Sequence, residues 1–470
     1  MDKNDRIKSL LLKAASFKTE IGQSVHDQYV ENLFVKAAEI SSETVKKNPI
    51  RYLKDEKIDK ILTSKLWGFP TMVGLFTLII WLTIEGANVP SGMLASLFLD
   101  VIYPVIKDGT EAWPWWLSGL LIDGMYLATV WVISVMLPPM AIFFPMFTVL
   151  EDLGYLPRVA FNLDGLFKKA GAHGKQSLSM MMGFGCNAAG VISARIIDSP
   201  RERLIAIITN NFSLCNGRWP TIIILSSLFV GALAPAWFAG FATALSVVGL
   251  ALLGVVLTFV SSWMLSNTVL KGEASSFSLE LPPYRPPRIL RTLYTSIIDR
   301  TIFVLWRAII FALPAGAAIW LSSNIMVGDV SVAEYIINVL DPIGWFIGLN
   351  GVILLAYIIA IPANEIIIPT ILMLTVLTTG ISGIGSGAGI MFEPEDISTI
   401  SNVLEAGGWT LLTAVSVMLF SLMHNPCSTT IYTIYKETKS LKWTVVATLL
   451  PYGFGLTILV ILATVWRAIV

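Results

Sequence analysis

The sequence predicts an all-α polytopic membrane protein of about seven to eight transmembrane helices plus two re-entrant hairpins, on three observations. Hydrophobic residues make up 55% of its 470 residues and charged ones 14%, against roughly 25% charged in an average soluble domain. Apolar runs reaching the ~20 residues a helix needs to cross the hydrocarbon core recur from Trp67 to the C-terminus. Several of these runs are also interrupted by Gly, Asn or Pro where a membrane helix should be continuous.

Residues 1–66 differ from the rest. They are polar and rich in Lys, Glu and Asp, with apolar residues at helical intervals (Ile7, Leu10, Leu11; Ile58, Ile61, Leu62) and no apolar core of a cleavable signal, so they are expected to be a cytosolic helical preface. A first membrane half over 67–266, a cytosolic connector over 267–301 and a second membrane half over 302–470 follow. Membrane helices are expected at about 68–86, 125–149, 203–231, 237–265, 302–323, 407–435 and 443–468.

Charge sets the orientation. Lys and Arg crowd the preface, the stretch 158–203 and the loop 271–300, which makes these cytoplasmic and the N-terminus cytoplasmic with them. Loops bearing Asp100, Asp108, Glu111 and Asp123, then Asp329, Glu334 and Asp341, then Glu393, Glu395, Asp396 and Glu405 carry almost no bases and face outward. With outward loops on both sides, the apolar stretch 348–379 must cross an even number of times, and its length suits two half-helices meeting at Pro362, Asn364 and Glu365. The stretch 176–198, broken at Gly183, Gly185 and Gly190, reads as a comparable hairpin entering from the other side. Each is followed by a long helix with its own interruption, at 214–220 and 424–430, which is the pattern of an inverted repeat.

Unwound backbone at membrane depth survives only inside protein or along a cavity, because lipid offers it no hydrogen-bond partner. The breaks therefore mark a substrate path. They gather Cys186, Asn187, Cys215, Asn216, Asn364, Glu365, His424, Asn425 and Cys427, flanked by Met180, Met181 and Met182. Thiol, imidazole, carboxylate and amide oxygen together suit a borderline-soft divalent transition metal better than Mg²⁺ or Ca²⁺. Cys186, Cys215, Cys427, Glu365, Asn187, His424 and Met182 are the candidate metal ligands.

Each has a plainer reading. A single cysteine in a membrane helix is commonly a small buried hydrophobe, but all three cysteines of the chain fall at breaks beside Asn or Pro. Glu365 far from a helix end is costly in a bilayer and is by default functional; otherwise it is a neutral, hydrogen-bonded acid. The three methionines read first as packing, and His424 equally as an interhelical donor. His173 and His26 read as solvated, and Arg158, Lys168, Lys169 and Lys175 as interfacial anchors.

Other functions find little support. Net charge is zero and no basic block interleaves with aromatics, so nucleic-acid binding is not indicated. The cysteines sit in apolar surroundings, against a disulfide framework. Ala172–Ser177 contains Gly174-Lys175 but lacks the earlier Gly and the following Ser or Thr of a phosphate loop. The chain is read as a transporter and not an enzyme. The Pro-rich stretch 281–288 reads as an extended connector.

Several blocks in order then resemble the membrane domain of the FeoB family of bacterial ferrous-iron transporters. They are Glu56–Lys60, Glu151–Phe161, His173–Lys175, Gly183–Asn187, Cys215 with Arg218 and Pro220, Lys271–Glu273, Glu280–Tyr284, Glu365-Ile366 and Pro426-Cys427. The resemblance covers roughly residue 50 onward. It implies Fe²⁺ as the transported ion with no permanently bound cofactor, two Gate modules with Cys186, Cys215 and Cys427 on the path, and a multi-pass place in a bacterial or archaeal inner membrane.

The chain departs from that family in carrying no GTP-binding motif, so a GTPase domain is not expected in it. A separate G protein docking on the preface, or transport driven by the ion gradient and membrane potential, would have to stand in. Ala188-Ala189, Asn216-Gly217 and Asn364 also differ from the family's usual residues. Asn364-Glu365 resembles the Asn-Glu pair of concentrative nucleoside transporters, so a nucleoside or small organic solute is the alternative substrate. A membrane anchor for a partner protein is a third reading, and a homo-oligomer stays open.

Overall fold

The computed structural model describes residues 29, 31–41, 43–44, 49–64, 66–272, 284–286, 288–381, 389–392, 394 and 396–469. Ile7, Leu10, Leu11, His26, Glu273, Glu280–Pro283, Glu393 and Glu395 lie outside them. The described residues are nearly all helical. A two-stranded antiparallel turn, Met326–Val327 with Val330–Ser331, caps one end of a long helix.

Among the described residues, six helices are long and apolar enough to span a membrane: Gly68–Gly109, Trp115–Asp152, Trp237–Asn267, Ile289–Asn324, Leu411–Thr438 and Leu441–Ile469. The pair Val332–Phe346 and Gly351–Ile359, bent by 109°, raises the number to seven if it is counted as one span. The helix Ala236–Asn267 shows why these belong in lipid. Trp237, Phe241, Leu245, Val248, Leu252 and Val256, three or four residues apart on one face, are each more than half exposed, the reverse of a soluble helix.

The span expected at 203–231 is broken, as the interruption expected at 214–220 requires, but the break opens earlier, at Asn210. It is Pro200–Thr209 and Trp219–Leu225 separated by two short 3₁₀ turns, because Pro220 lacks an amide donor and Arg218 draws the intervening backbone to itself. The first span runs on to Gly109, about 63 Å at 1.5 Å per residue. Two of the charges that read as an outward loop, Lys107 and Asp123, pair with each other. Lys107 Nζ donates to Asp123, which also accepts from Tyr103 Oη at 2.7 Å, so Asp123 is buried.

Two short helix pairs fold back on themselves, Gln176–Gly185 with Asn187–Ser193 and Gly351–Ile359 with Ile367–Thr379. Two others run on without packing side by side, Pro200–Thr209 with Trp219–Leu225 and Leu411–Met423 with Ser428–Thr438. The two hairpins turn with the same backbone geometry, φ −151° and ψ 120° at Cys186 against φ −151° and ψ 119° at Ala363, each followed by an Asn.

On the side expected to be cytoplasmic, Arg158 is 1% exposed, not an interfacial anchor. It pairs bidentately with Asp59 and stacks 4.1 Å from the ring centroid of Tyr284. Lys175 likewise bonds Asp198 and the Ile196 carbonyl. His173 is buried rather than solvated, its Nδ1 accepting from the Lys175 amide at 3.0 Å.

Candidate transport site at four helix breaks

The glycines of the first hairpin make room for a neighbour. A Cβ at Gly183 or at Gly190 would strike the side chain of Asn210, which enters the hairpin from the broken helix beside it. Asn210 Nδ2 donates to the Asn187 carbonyl at 2.9 Å, so the hairpin's turn is held by the element that carries Cys215. Asn187 itself is satisfied when its Nδ2 donates to the Ser213 and Gly183 carbonyls, at 3.2 and 3.0 Å.

The second hairpin is held in a matching way. Asn364 lies between His424 and Cys215, with Oδ1 3.2 Å from His424 Nε2 and Nδ2 3.8 Å from Cys215 Sγ. His424 Nδ1 faces the carbonyls of Phe420 and Ser421 at 3.2 and 3.0 Å. A neutral imidazole donating through Nδ1 presents a bare Nε2, which calls for the amide turned so that Nδ2 faces it. Both ring nitrogens of His424 are thereby engaged, Nδ1 with its own helix's backbone and Nε2 with Asn364.

Between the four breaks lies one cavity of about 30 Å³. Cys186, Cys215, Cys427, Asn187, Asn364 and Glu365 all line it, together with Met136, Met140 and Thr430. Cys215 is 9% exposed and the other two thiols somewhat more; all three are free. Cys427 Sγ is 3.2 Å from Thr430 Oγ1. The space suffices for one or two waters, hence for a desolvated ion. A nucleoside does not fit it in this conformation.

His424, 2% exposed, reaches this cavity only through Asn364. Met182 lines a neighbouring cavity with Glu151, Ser193 and Arg307. Among the described residues no three of His, Cys, Asp and Glu are grouped closely enough to cage a metal ion.

One residue of the site has no functional reading in the sequence. Arg218 is fully buried, and Nη1 donates to the carbonyls of Asn211 and Leu422 at 3.1 and 3.0 Å, Nη2 to those of His424 and Asn425 at 3.3 and 3.4 Å. A buried charge in an apolar stretch was the available signal.

This fold, with paired hairpins and broken helices meeting at a cavity, defines a polytopic membrane protein of the Gate type. The family model described as "Gate: Nucleoside recognition" matches residues 133–229 and again 305–441, one match to each half, and "Ferrous iron transport protein B C terminus" matches 247–299. The chain belongs to the FeoB family, matching its membrane part. It is 28% identical over 462 residues to the Fe(2+) transporter FeoB of Staphylococcus aureus (strain MSSA476), covering 95% of this chain and 65% of the relative. Identity to the protein of the same name from Campylobacter jejuni is 27% over 407 residues (83% and 62%), and to that from Salmonella typhimurium 31% over 257 residues (53% and 31%). The chain thus spans about two thirds or less of the curated relatives it matches. No solved structure matches it.

Proposed function

We propose that the chain carries Fe²⁺ across a membrane, the bacterial or archaeal inner membrane with the N-terminus cytoplasmic, along a path through the junction of the four breaks. The observation that supports this best is chemical. Three thiols, a carboxylate and amide oxygens from both halves line one ion-sized cavity, and that donor set suits a borderline-soft divalent cation.

Glu365 supplies negative charge to a cation entering a poorly solvated site. The cysteines accept the ion as thiolates, which means that binding releases protons. Asn187 and Asn364 contribute neutral oxygens. With no closed cage among the described residues, the ion passes from one break to the next, weakly enough held to leave. A membrane potential acting on a divalent ion contributes about 4.6 kcal/mol per 100 mV. A G protein docked on the N-terminal segment is the other source of drive. The curated relatives' printed names favour iron over a nucleoside.

The test is uptake of Fe²⁺, kept reduced, into proteoliposomes holding this chain alone, with and without an imposed potential. Saturable uptake that is lost in Cys186→Ser, with folding retained, supports the reading. Unchanged uptake in all three Cys→Ser variants removes the thiols from the path. Competition by uridine would shift the substrate to a nucleoside.

A further inference from the structure

Every helix break sets free the carbonyls of the turn before it. In membrane carriers such carbonyls are ready ligands for hard cations, which take oxygen donors. In this protein four of them are occupied. Asn211 lies in the 3₁₀ turn Asn210–Phe212 that follows Pro200–Thr209, Leu422 belongs to the last turn of Leu411–Met423, and His424 and Asn425 form the break beyond it. All four bond to the single guanidinium of Arg218.

Arg218 follows directly on Cys215, Asn216 and Gly217, which line the cavity, yet is not itself part of the lining. Its charge sits behind the wall. A guanidinium stays protonated in any protein environment, so the positive charge and the capping of these oxygens are permanent. What remains open to the cavity is thiol, amide and carboxylate.

We propose that Arg218 is a specificity-determining residue: by sequestering the carbonyl oxygens of both breaks it denies Ca²⁺, Mg²⁺ and alkali cations their preferred donors, leaving a site that only a thiophilic divalent ion can use. A hard cation meets a fixed positive charge and too few oxygens. A softer ion recovers the loss through sulfur. The inference rests on the proposed metal path, and a simple staple between the two halves is the competing role for the same contacts.

Two measurements separate these. In detergent, Co²⁺ added to the full chain should give the intense near-ultraviolet absorption of thiolate ligation, and a large excess of Ca²⁺ should leave it unchanged. If wild type gives no such absorption, the metal path itself fails. If the absorption appears and Ca²⁺ abolishes it, the path stands and the role of Arg218 falls.

In proteoliposomes, Arg218→Gln should raise the ratio of Ca²⁺ to Fe²⁺ uptake by about tenfold, since one such factor corresponds to about 1.4 kcal/mol of altered preference. Arg218→Lys, which keeps the charge but offers three donors without the planar fork, should restore much of the discrimination. A staple alone would lower both fluxes together and leave their ratio fixed, and that result overturns the proposal. If neither variant folds, the wild-type displacement by Ca²⁺ decides.

Discussion

Asp59 and Arg158, 99 residues apart, meet through two parallel hydrogen bonds, Nε to Oδ1 at 2.9 Å and Nη2 to Oδ2 at 3.0 Å. Tyr284 from the connector donates to the same carboxylate at 2.6 Å, and Arg158 Nη1 bonds the Gly154 carbonyl at 2.8 Å. Three separate segments are thus tied at one buried guanidinium. The pair lies away from the cavity and acts on assembly, holding the helix Pro49–Leu62 against the first membrane half.

Asp59→Asn is therefore expected to destabilise the protein by roughly 2 kcal/mol at neutral pH, the size of hydrogen bonds to a charged group. The pH dependence has a definite sign. Burial raises the Asp59 carboxyl, but the hydrogen bonds from Arg158 and Tyr284 and the guanidinium charge outweigh it and hold the group below its usual 3.8. A depressed folded-state pKa gives stability that is full above the unfolded value and lost as pH falls through the folded one. Thermal unfolding in detergent should show wild type and variant far apart at pH 7 and converging only below about pH 4. A gap that stays constant down to pH 3 would mean that the carboxylate charge is not what matters.

Arg195 and Glu437 form the opposite case. They too are bidentate, at 2.7 and 2.6 Å, and join the end of the first hairpin to the end of Ser428–Thr438, but the Arg195 side chain is 61% exposed. Water already serves that guanidinium, so Arg195→Ala should cost less than about 1 kcal/mol, and less still at high salt. A loss of 3 kcal/mol or more in the same unfolding assay would instead make this link a principal strut between the halves.

What the sequence disclosed follows from range. Spans were legible because apolar length is a local property, and the breaks because Gly185, Cys186, Pro362 and Pro426 interrupt apolar runs within a few residues. The second hairpin turns at Ala363, beside the expected Pro362 and Asn364; the first turns at Cys186, directly after Gly185, while Gly183 and Gly190, also read as breaks, lie inside its two helices. Pairings across distance were not legible. Lys107 and Asp123 read as loop charges because their contact spans 16 positions between helices, and Arg158 read as a surface anchor because its partner lies 99 residues earlier. The carbonyls that hold Arg218 come from up to 207 residues away, and backbone acceptors leave no mark in side-chain chemistry. Whether a polar residue lines a cavity or stands behind its wall, as with His424 and Asn364, is likewise decided only by the packing of four elements.

The approach of Gly217 to Glu365 gives the sharpest test of the carboxylate. A Cβ at residue 217 would lie 2.6 Å from Glu365 Cδ and closer still to Oε1, so Gly217→Ala cannot coexist with the carboxylate where it stands. Glu365 is a flexible side chain reached at its far end, and rotating it away relieves the clash. The cost in stability should then stay within about 1 kcal/mol, while the carboxylate leaves the cavity. Fe²⁺ uptake by Gly217→Ala is expected to fall at least about tenfold, to the level of Glu365→Gln. Combining the two substitutions should add little more, because both remove the same group. Full additivity in that cycle would mean that Gly217 acts through something other than Glu365, and wild-type uptake in Gly217→Ala would remove the carboxylate from the path.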